Sequence, residues 1–414
     1  MRAGYLGLLA LQAASAVIAA PSPQLSTLSV ESDQQDLAAL AQQAYEAAQA
    51  EAAQAEAAGD GTATKRAAAS TCSWNNIKIR REWGSLSTAQ RKAYIDAVKC
   101  LQSKPALTPE SFAPGAKTRF DDWVAVHINQ TMQIHYTGNF LSWHRYFTWM
   151  YEQALRDECG YTGTQPYWDW AKTAVTGLHS SPIFDGSETS MSGDGASVGE
   201  QADIILGAST GLPPIYLPTG NGGGCVESGP FKDMQVNMGP VALDAPGGVV
   251  VTNPDGPLAY NPRCLKRDLS NAVNANYANA TAILSNILKP QTVADFQLQL
   301  QGIPGSGNIG VHGGGHYSLG GDPGRDVYVS PGDPAFYLHH AMIDRVWWIW
   351  QMLSPIKRQY SDSAISGTKT FMDMPPSDDA TLDDLVDIGY TGAEPIAIRD
   401  LMSTLGGPFC YVYL

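Results

Sequence analysis

The stretch that decides the fold is Asp333–Trp347, which reads DPAFYLHHAMIDRVW. An acidic residue followed by a proline is typical of the first turn of a helix, and the apolar pattern continues to about Leu353. The stretch therefore predicts a strong, largely buried helix over residues 333–353. It also holds two adjacent histidines.

Adjacent residues on a helix point about 100° apart, so His339 and His340 are not expected to face one metal ion together. His340 shares a helix face with Phe336 and Asp344, and we take it as the candidate metal ligand. Phe336, Asp344 and His339 are then expected to surround the ligands, with Asp344 orienting an imidazole or a neighbouring polar group.

The chain has only eight histidines, and seven of them fall into two clusters. The first cluster is His127, His135 and His144, and the second is His312, His316, His339 and His340. Imidazole is a common neutral ligand for copper, zinc and iron, so clustering of this rare residue indicates metal binding. His179 stands alone and is expected to be structural or exposed.

In the second cluster, His312 and His316 have the i, i+4 spacing that brings two side chains onto one helix face. Three glycines separate them, and each weakens a helix by about 1 kcal/mol relative to alanine. We therefore expect a helix here that is held from outside, by a metal ion and by close packing.

In the first cluster, the spacings of eight and nine residues do not place three side chains on one helix face. His127 and His144 are predicted on two different helices, with His135 on the connection. Two helix pairs would then present two facing sites of three imidazoles inside a helix bundle.

Neutral imidazoles without a carboxylate ligand suit copper better than calcium, magnesium or manganese. Zinc also binds three histidines and a water, so the histidines alone do not exclude it. The chain lacks the HExxH pattern, in which a glutamate acts as general base, and this makes a zinc hydrolase the weaker hypothesis.

The composition limits the function further. The chain of 414 residues is 44% hydrophobic with a net charge of −14, which argues against nucleic-acid binding. We expect no membrane-spanning helix. Residues 1–19 are predicted to be a signal peptide. Residues 20–66 are predicted to be an Ala/Gln/Glu-rich propeptide with little to contribute to a core, ending at the dibasic pair Lys65-Arg66.

Residues 67–414 are then predicted to form one mainly α-helical domain with long irregular loops and short β segments. Helices are expected over 87–101, 120–134, 141–155, 269–288, 292–300 and 333–353, and an irregular stretch with short strands near 247–252 over 173–262.

The six cysteines all follow the predicted cleavage site, and an even number in a secreted chain predicts three disulfides. From position only, we expect the pairs Cys72–Cys410, Cys100–Cys159 and Cys225–Cys264. Two sequons place candidate glycosylation sites at Asn129 and Asn279. Together these features predict a secreted protein.

Two segments carry a family resemblance. Phe140–Tyr146 (FLSWHRY) resembles the copper A signature of tyrosinases and catechol oxidases, and Asp333–Trp347 resembles their copper B signature. The resemblance spans about residues 72–413. It implies a four-helix core with two copper ions, one bound by His127, His135 and His144 and the other by His312, His316 and His340. It also implies that O2 and small phenols are the reactants, and that o-diphenols are oxidised to o-quinones.

Some positions depart from the family pattern. Many members have a cysteine, cross-linked to the second copper A histidine, where this chain has Gln133. Members that hydroxylate monophenols strongly often carry a glutamate and an asparagine that hold a water, where this chain has Gln301 and Gly313. Because an amide is not a base, ortho-hydroxylation of monophenols is expected to be weaker. Val327 is expected at the substrate entrance with Gln301 and Gly313.

Two alternatives within the family stay open. One is a full tyrosinase with strong monophenol hydroxylation, and the other is reversible O2 binding as in haemocyanins. Oxygen consumption with catechol separates an oxidase from an oxygen carrier.

Overall fold

The computed structural model describes residues 27–57, 72–207 and 211–414. Its helices are α1 Thr27–Ala57, α2 Thr88–Ser103, α3 Asp121–Ile134, α4 Phe140–Cys159, α5 Trp170–Thr176, α6 Asn271–Tyr277, α7 Ala280–Leu288, α8 Val293–Gln301, α9 Gly310–Leu319, α10 Ala335–Met352 and α11 Pro355–Gln359. The expectation of a mainly helical fold is confirmed.

Local signals in the sequence mark several helix ends. Ser87 caps α2: its hydroxyl accepts from the backbone N–H of Gln90, and the Gln90 side chain accepts from the Ser87 N–H. Gly160 ends α4 in the left-handed region, with φ of 67°. The prediction of a single helix over 269–288 is wrong in one respect. The helix is interrupted at Ala278–Asn279, and Asn279 caps a second helix, α7.

The core is built around α3, α4, α9 and α10. Helix α4 packs against both α3 and α10, and α10 packs against α9. Helix α10 is buried along its whole length, as its nearly continuous apolar sequence requires. These four helices carry six of the seven clustered histidines, and the seventh, His135, directly follows α3.

Within the described residues, the strands are short and form six two-stranded sheets. They are β1 Lys78–Arg80, β2 Gly195–Ser197, β3 Ile204–Leu206, β4 Ile215–Leu217, β5 Gly223–Val226, β6 Gln235–Val236, β7 Leu243–Ala245, β8 Val249–Val251, β9 Arg263–Cys264, β10 Leu385–Val386, β11 Ile396–Ala397 and β12 Tyr411–Tyr413. Strands β2 to β9 lie in the irregular stretch between α5 and α6, and β8 lies where a strand was expected.

The two ends of the domain that follows residue 71 are joined. Strand β1 pairs in parallel with β12, with Ile79 opposite Val412. A disulfide links Cys72 to Cys410, and two others link Cys100 to Cys159 and Cys225 to Cys264. These are the three pairs that were expected from position, and the described residues contain no free cysteine.

Helix α1 corrects one expectation. The Ala/Gln/Glu-rich segment was expected to contribute almost nothing to a core, yet Leu37, Ala44, Ala48 and Ala52 are buried. They pack the helix against α7, α10 and β12. Small alanine side chains let helix backbones approach closely, so the segment buries surface without large apolar residues. The predicted signal peptide and the pair Lys65-Arg66 lie outside the described residues.

Among the described helices, none combines the length and the apolar character that crossing a membrane requires.

Candidate metal centre

The first histidine cluster lies where α3 and α4 meet. His127 is on α3, His135 directly follows the last residue of α3, and His144 is in the first turns of α4. The ring centroids lie 5.1–5.7 Å apart, and all three residues are buried. One ring nitrogen from each lies within 4.8 Å of those of the others, which is close enough for a shared metal ion.

The second cluster joins α9 and α10. The His312 and His316 ring centroids lie 4.8 Å apart across one helical turn. His340 lies 5.3 Å from His312 and 5.5 Å from His316. His339 also lies close, with its ring centroid 4.5 Å from that of His316.

The two clusters face each other. The rings of His144 and His340 stack with centroids 4.7 Å apart and planes 19° apart. The rings of His135 and His312 lie 5.8 Å apart. The arrangement therefore accommodates two neighbouring metal ions.

Hydrogen bonds orient the rings for metal binding. Four rings donate Nδ1–H to a main-chain carbonyl, over 2.8–3.1 Å: His127 to Tyr328, His135 to Thr131, His144 to Phe140 and His316 to Gly324. Because a carbonyl only accepts, the proton is on Nδ1 and the Nε2 lone pair is free. Within the described part of the chain, the buried Nε2 atoms of His127, His144 and His312 have no hydrogen-bond partner. Such atoms fit a metal ion.

Burial keeps these imidazoles neutral. It lowers the pKa of His135 and of His316 to about 4. Burial, followed by repulsion from neighbouring histidines, holds the pKa of His127, His144 and His340 well below the usual range. The neutral form is the one that binds metals, so the clusters are ready to do so at neutral pH.

The glycines between His312 and His316 let other groups approach α9. A Cβ added at Gly315 would lie 2.2 Å from Cε1 of His339, and one at Gly314 would lie 3.0 Å from Tyr277. The expectation that this glycine-rich stretch is held as a helix from outside is therefore met by close packing.

The residues expected around the ligands have different environments. Phe336 stacks on the ring of His340 with centroids 4.0 Å apart. Asp344 bonds no imidazole in the described structure. It accepts instead from Arg145 and from the hydroxyls of Tyr411 and Tyr413, all at 2.6 Å. His179 lies outside both clusters, half-exposed, and bonds Asp194 at 2.8 Å.

A largely apolar pocket of about 300 Å³ opens beside the clusters. Its walls include His135, His312 and His316. The three positions expected at the entrance, Gln301, Gly313 and Val327, also line it, as do Tyr136, Leu206, Leu212, Pro213, Ile215, Asn308, Tyr317, Arg325 and Phe371. The side-chain oxygen Oε1 of Gln301 accepts from the main-chain N–H of Tyr136 at 2.7 Å, so this side chain is held in place by the loop after α3.

Sequence analysis missed several residues of this pocket. Arg325 carries a local signal, because it is the only lysine or arginine between His316 and His340. Leu206, Leu212 and Ile215 carry none, because they come from the irregular stretch about a hundred residues before the second cluster.

Comparisons with known proteins identify the family. Residues 117–353 match the profile of the common central domain of tyrosinase. The chain is 43% identical over 336 residues to Tyrosinase P of Aspergillus terreus, covering 81% of this chain and 91% of that protein. It is 42% identical over 352 residues to the N-acetyl-6-hydroxytryptophan oxidase ivoB of Emericella nidulans, covering 83% and 93% of the two chains.

A solved structure supports the same assignment. A polyphenol oxidase variant from Thermothelomyces thermophila superposes with a TM-score of 0.82 at 45% identity, over 92% of this chain and 98% of that one. The facing clusters of neutral histidines fit the two metal ions of such an oxidase. The chain belongs to the tyrosinase family of type 3 copper proteins, with a dinuclear copper centre.

Proposed function

We propose that the protein oxidises o-diphenols to o-quinones and reduces O2 to water. Two diphenols and one O2 give two quinones and two waters. The observation that carries the proposal is the pair of facing neutral histidine clusters at the end of an apolar pocket. When bound, the copper pair supplies two-electron exchange with O2 and with the phenol.

We assign the coppers to His127, His135 and His144, and to His312, His316 and His340. The choice of His340 over His339 rests on direction. The His340 ring stacks on His144 of the opposite cluster, whereas His339 packs against Trp170 at 5.1 Å. His340 is thus the residue of the pair that faces both clusters.

Copper content tests this choice. His340→Ala should lose one copper per chain and the oxidase activity, whereas His339→Ala should keep two coppers. Full oxidase activity in His340→Ala would refute the assignment.

The pocket is suited to a flat aromatic ring. Leucine, isoleucine, proline and phenylalanine side chains exclude water from the reacting ring, and Val327 leaves the mouth open. Among the described lining residues there is no aspartate or glutamate. No carboxylate in the pocket can therefore take the proton of a monophenol, which favours diphenol oxidation over ortho-hydroxylation.

Oxygen uptake by the copper-loaded protein tests the activity. We expect rapid uptake with 4-methylcatechol and a delayed or slow response to 4-methylphenol. Comparable uptake with both would make the protein a full tyrosinase, which the name of the Aspergillus terreus relative also suggests. No uptake with either, with two coppers bound, would refute an oxidase and favour an oxygen carrier.

We also propose that the protein is secreted and glycosylated at Asn129. The three disulfides are stable in oxidising compartments. Asn129 is exposed on α3, whereas the Asn279 side chain caps α7 and donates to the Ala275 carbonyl. Mass spectrometry of the exported protein should therefore find a glycan on Asn129 and none on Asn279.

A further inference from the structure

The pocket beside the histidine clusters contains one charged side chain, because its histidines are neutral. Among the described lining residues, Arg325 is the only one of the types Asp, Glu, Lys and Arg. Its main chain lies close to the metal centre, because the carbonyl of the preceding residue, Gly324, accepts from Nδ1 of His316 at 3.1 Å, and Arg325 lines the same pocket as His312 and His316. A substrate at the clusters is therefore within the same pocket as this guanidinium.

Arg325 has unused hydrogen-bonding capacity. In the described part of the chain, its side chain makes a single hydrogen bond, a long one of 3.5 Å from Nη1 to Oδ2 of Asp268. Its Nε is buried without a partner, and the side chain is 8% exposed. A guanidinium has five N–H donors, and leaving buried donors unpaired costs free energy.

Two nearby arginines show what a saturated guanidinium looks like in this fold. Arg267 bonds both oxygens of Asp333 at 2.7 and 2.8 Å and also donates to main-chain carbonyls. Arg263 bonds both oxygens of Asp322 at 2.7 Å. Arg325 lacks such a bidentate carboxylate partner. A ligand bound in the pocket can supply one.

The carboxylates near Arg325 leave this capacity unused. Burial lowers the pKa of Arg325, while Asp268 and Asp244 raise it, and arginine stays protonated in proteins. Asp244 is engaged by the Tyr317 hydroxyl at 2.5 Å. Neither aspartate lines the pocket.

We propose that Arg325 is a specificity-determining residue that selects phenols carrying a carboxylate on a short side chain. Arginine binds carboxylates with paired, charge-assisted hydrogen bonds, which are about twice as strong as neutral ones. The cavity of about 300 Å³ has room for a phenolic ring and a few further atoms. The proposal rests on the proposed oxidase function, since it concerns the substrate of that same pocket.

The test compares 3-(3,4-dihydroxyphenyl)propionate with its primary amide, which has nearly the same shape without the charge. In the unaltered copper-loaded protein, kcat/KM for the acid should exceed that for the amide on the order of tenfold. Arg325→Gln should bring the ratio close to one, and Arg325→Lys should keep part of it. Arg399→Gln changes the same charge at an exposed ion pair with Asp383 and should keep the full ratio.

Binding without turnover gives a second readout. Calorimetric titration with 3-phenylpropionate and 3-phenylpropionamide should show tighter binding of the acid, and Arg325→Gln should abolish that difference. If Arg325→Gln does not fold, the ratio of kcat/KM for the acid to that for the amide, measured in the unaltered protein and in Arg325→Lys, still tests the proposal.

The outcomes separate the two proposals. Oxidation of acid and amide at equal kcat/KM by the unaltered protein would overturn the role of Arg325 and leave the oxidase function intact, and Arg325 would then only balance Asp268. Oxidation of neither compound, together with no oxygen uptake on 4-methylcatechol, would overturn the oxidase function, and the titrations would still decide whether Arg325 binds carboxylates.

Discussion

Replacing Asp344 with asparagine should destabilise the folded protein by about 3–5 kcal/mol, the range observed when one partner of a buried ion pair is removed. Asp344 lies one turn after His340 on α10 and is buried. One carboxylate oxygen accepts from Nε of Arg145, and the other accepts from the hydroxyls of Tyr411 and Tyr413, each at 2.6 Å. Asparagine keeps the shape but loses the charge and one acceptor.

The size of the effect depends on the two arginines that share this carboxylate. Arg80, 3.4 Å from Asp344, keeps a second carboxylate, because it bonds Glu152 at 2.6 Å. Arg145 keeps Gln351 and two main-chain carbonyls as partners, but no other carboxylate from the part of the chain that the structure describes. One uncompensated cation therefore stays buried, which places the expected loss nearer 3 than 5 kcal/mol.

Calorimetry of the copper-free protein measures this loss without a contribution from metal binding. With an unfolding entropy of about 2.1 cal/mol/K per residue over some 340 residues, 3–5 kcal/mol corresponds to a fall in Tm of about 4–7 °C. Asp383→Asn removes a carboxylate from the exposed pair with Arg399 and should cost less than about 1 kcal/mol. A loss below 1 kcal/mol in Asp344→Asn would refute the reasoning.

The difference between Asp344→Asn and the unaltered protein should also depend on pH. Burial alone would raise the pKa of Asp344, but Arg145, Arg80 and the two tyrosine hydroxyls outweigh it, so the pKa lies below the usual value. The stabilisation is therefore complete above the unfolded pKa of about 3.9 and is lost as the pH falls through the lower folded value. The difference in stability should narrow at acid pH.

Two further predictions concern close packing. Gly315→Ala should lose copper, because the new Cβ would lie 2.2 Å from Cε1 of His339. Gly313→Ala should keep two coppers, since its Cβ would lie 3.1 Å from the nearest atom, in the Ile309 side chain. Equal copper content in the two variants, measured by elemental analysis, would contradict this. Ala48→Asp buries a charge beneath α1 and should lower stability by at least about 1 kcal/mol, while Ala50→Asp, at an exposed position of the same helix, should not. Since no described residue of α1 lines the pocket, oxygen uptake with catechol should not rise in Ala48→Asp, and a rise would indicate that α1 blocks the site.

The part of the site that follows from the sequence rests on residues close together in the chain. The spacing of His312 and His316, and the assignment of His127 and His144 to separate helices, depend only on helical periodicity. The cap at Ser87 is equally local. Such features are readable because helical periodicity and capping patterns relate residues along the chain without any knowledge of contacts between distant segments.

The environment of Asp344 shows where this reasoning fails. Helical spacing places Asp344 on the same face as His340, which suggests a contact with an imidazole. Its partners are Arg145, Tyr411 and Tyr413, at separations of 199, 67 and 69 residues. No local pattern predicts such contacts, so the sequence supports only the weaker statement that Asp344 orients a neighbouring polar group.

The sequence by itself indicated the helices that carry most of the clustered histidines, the rare residues suited to bind metal and the resemblance to a copper oxidase family, because each depends on local periodicity or on motif identity. Only the tertiary structure decided that His340 faces the opposite cluster, that Arg325 lies in the pocket and that α1 packs on the domain. The physical reason is that these properties depend on how distant segments meet. Buried surface and unpaired donors exist only once the chain has folded around them.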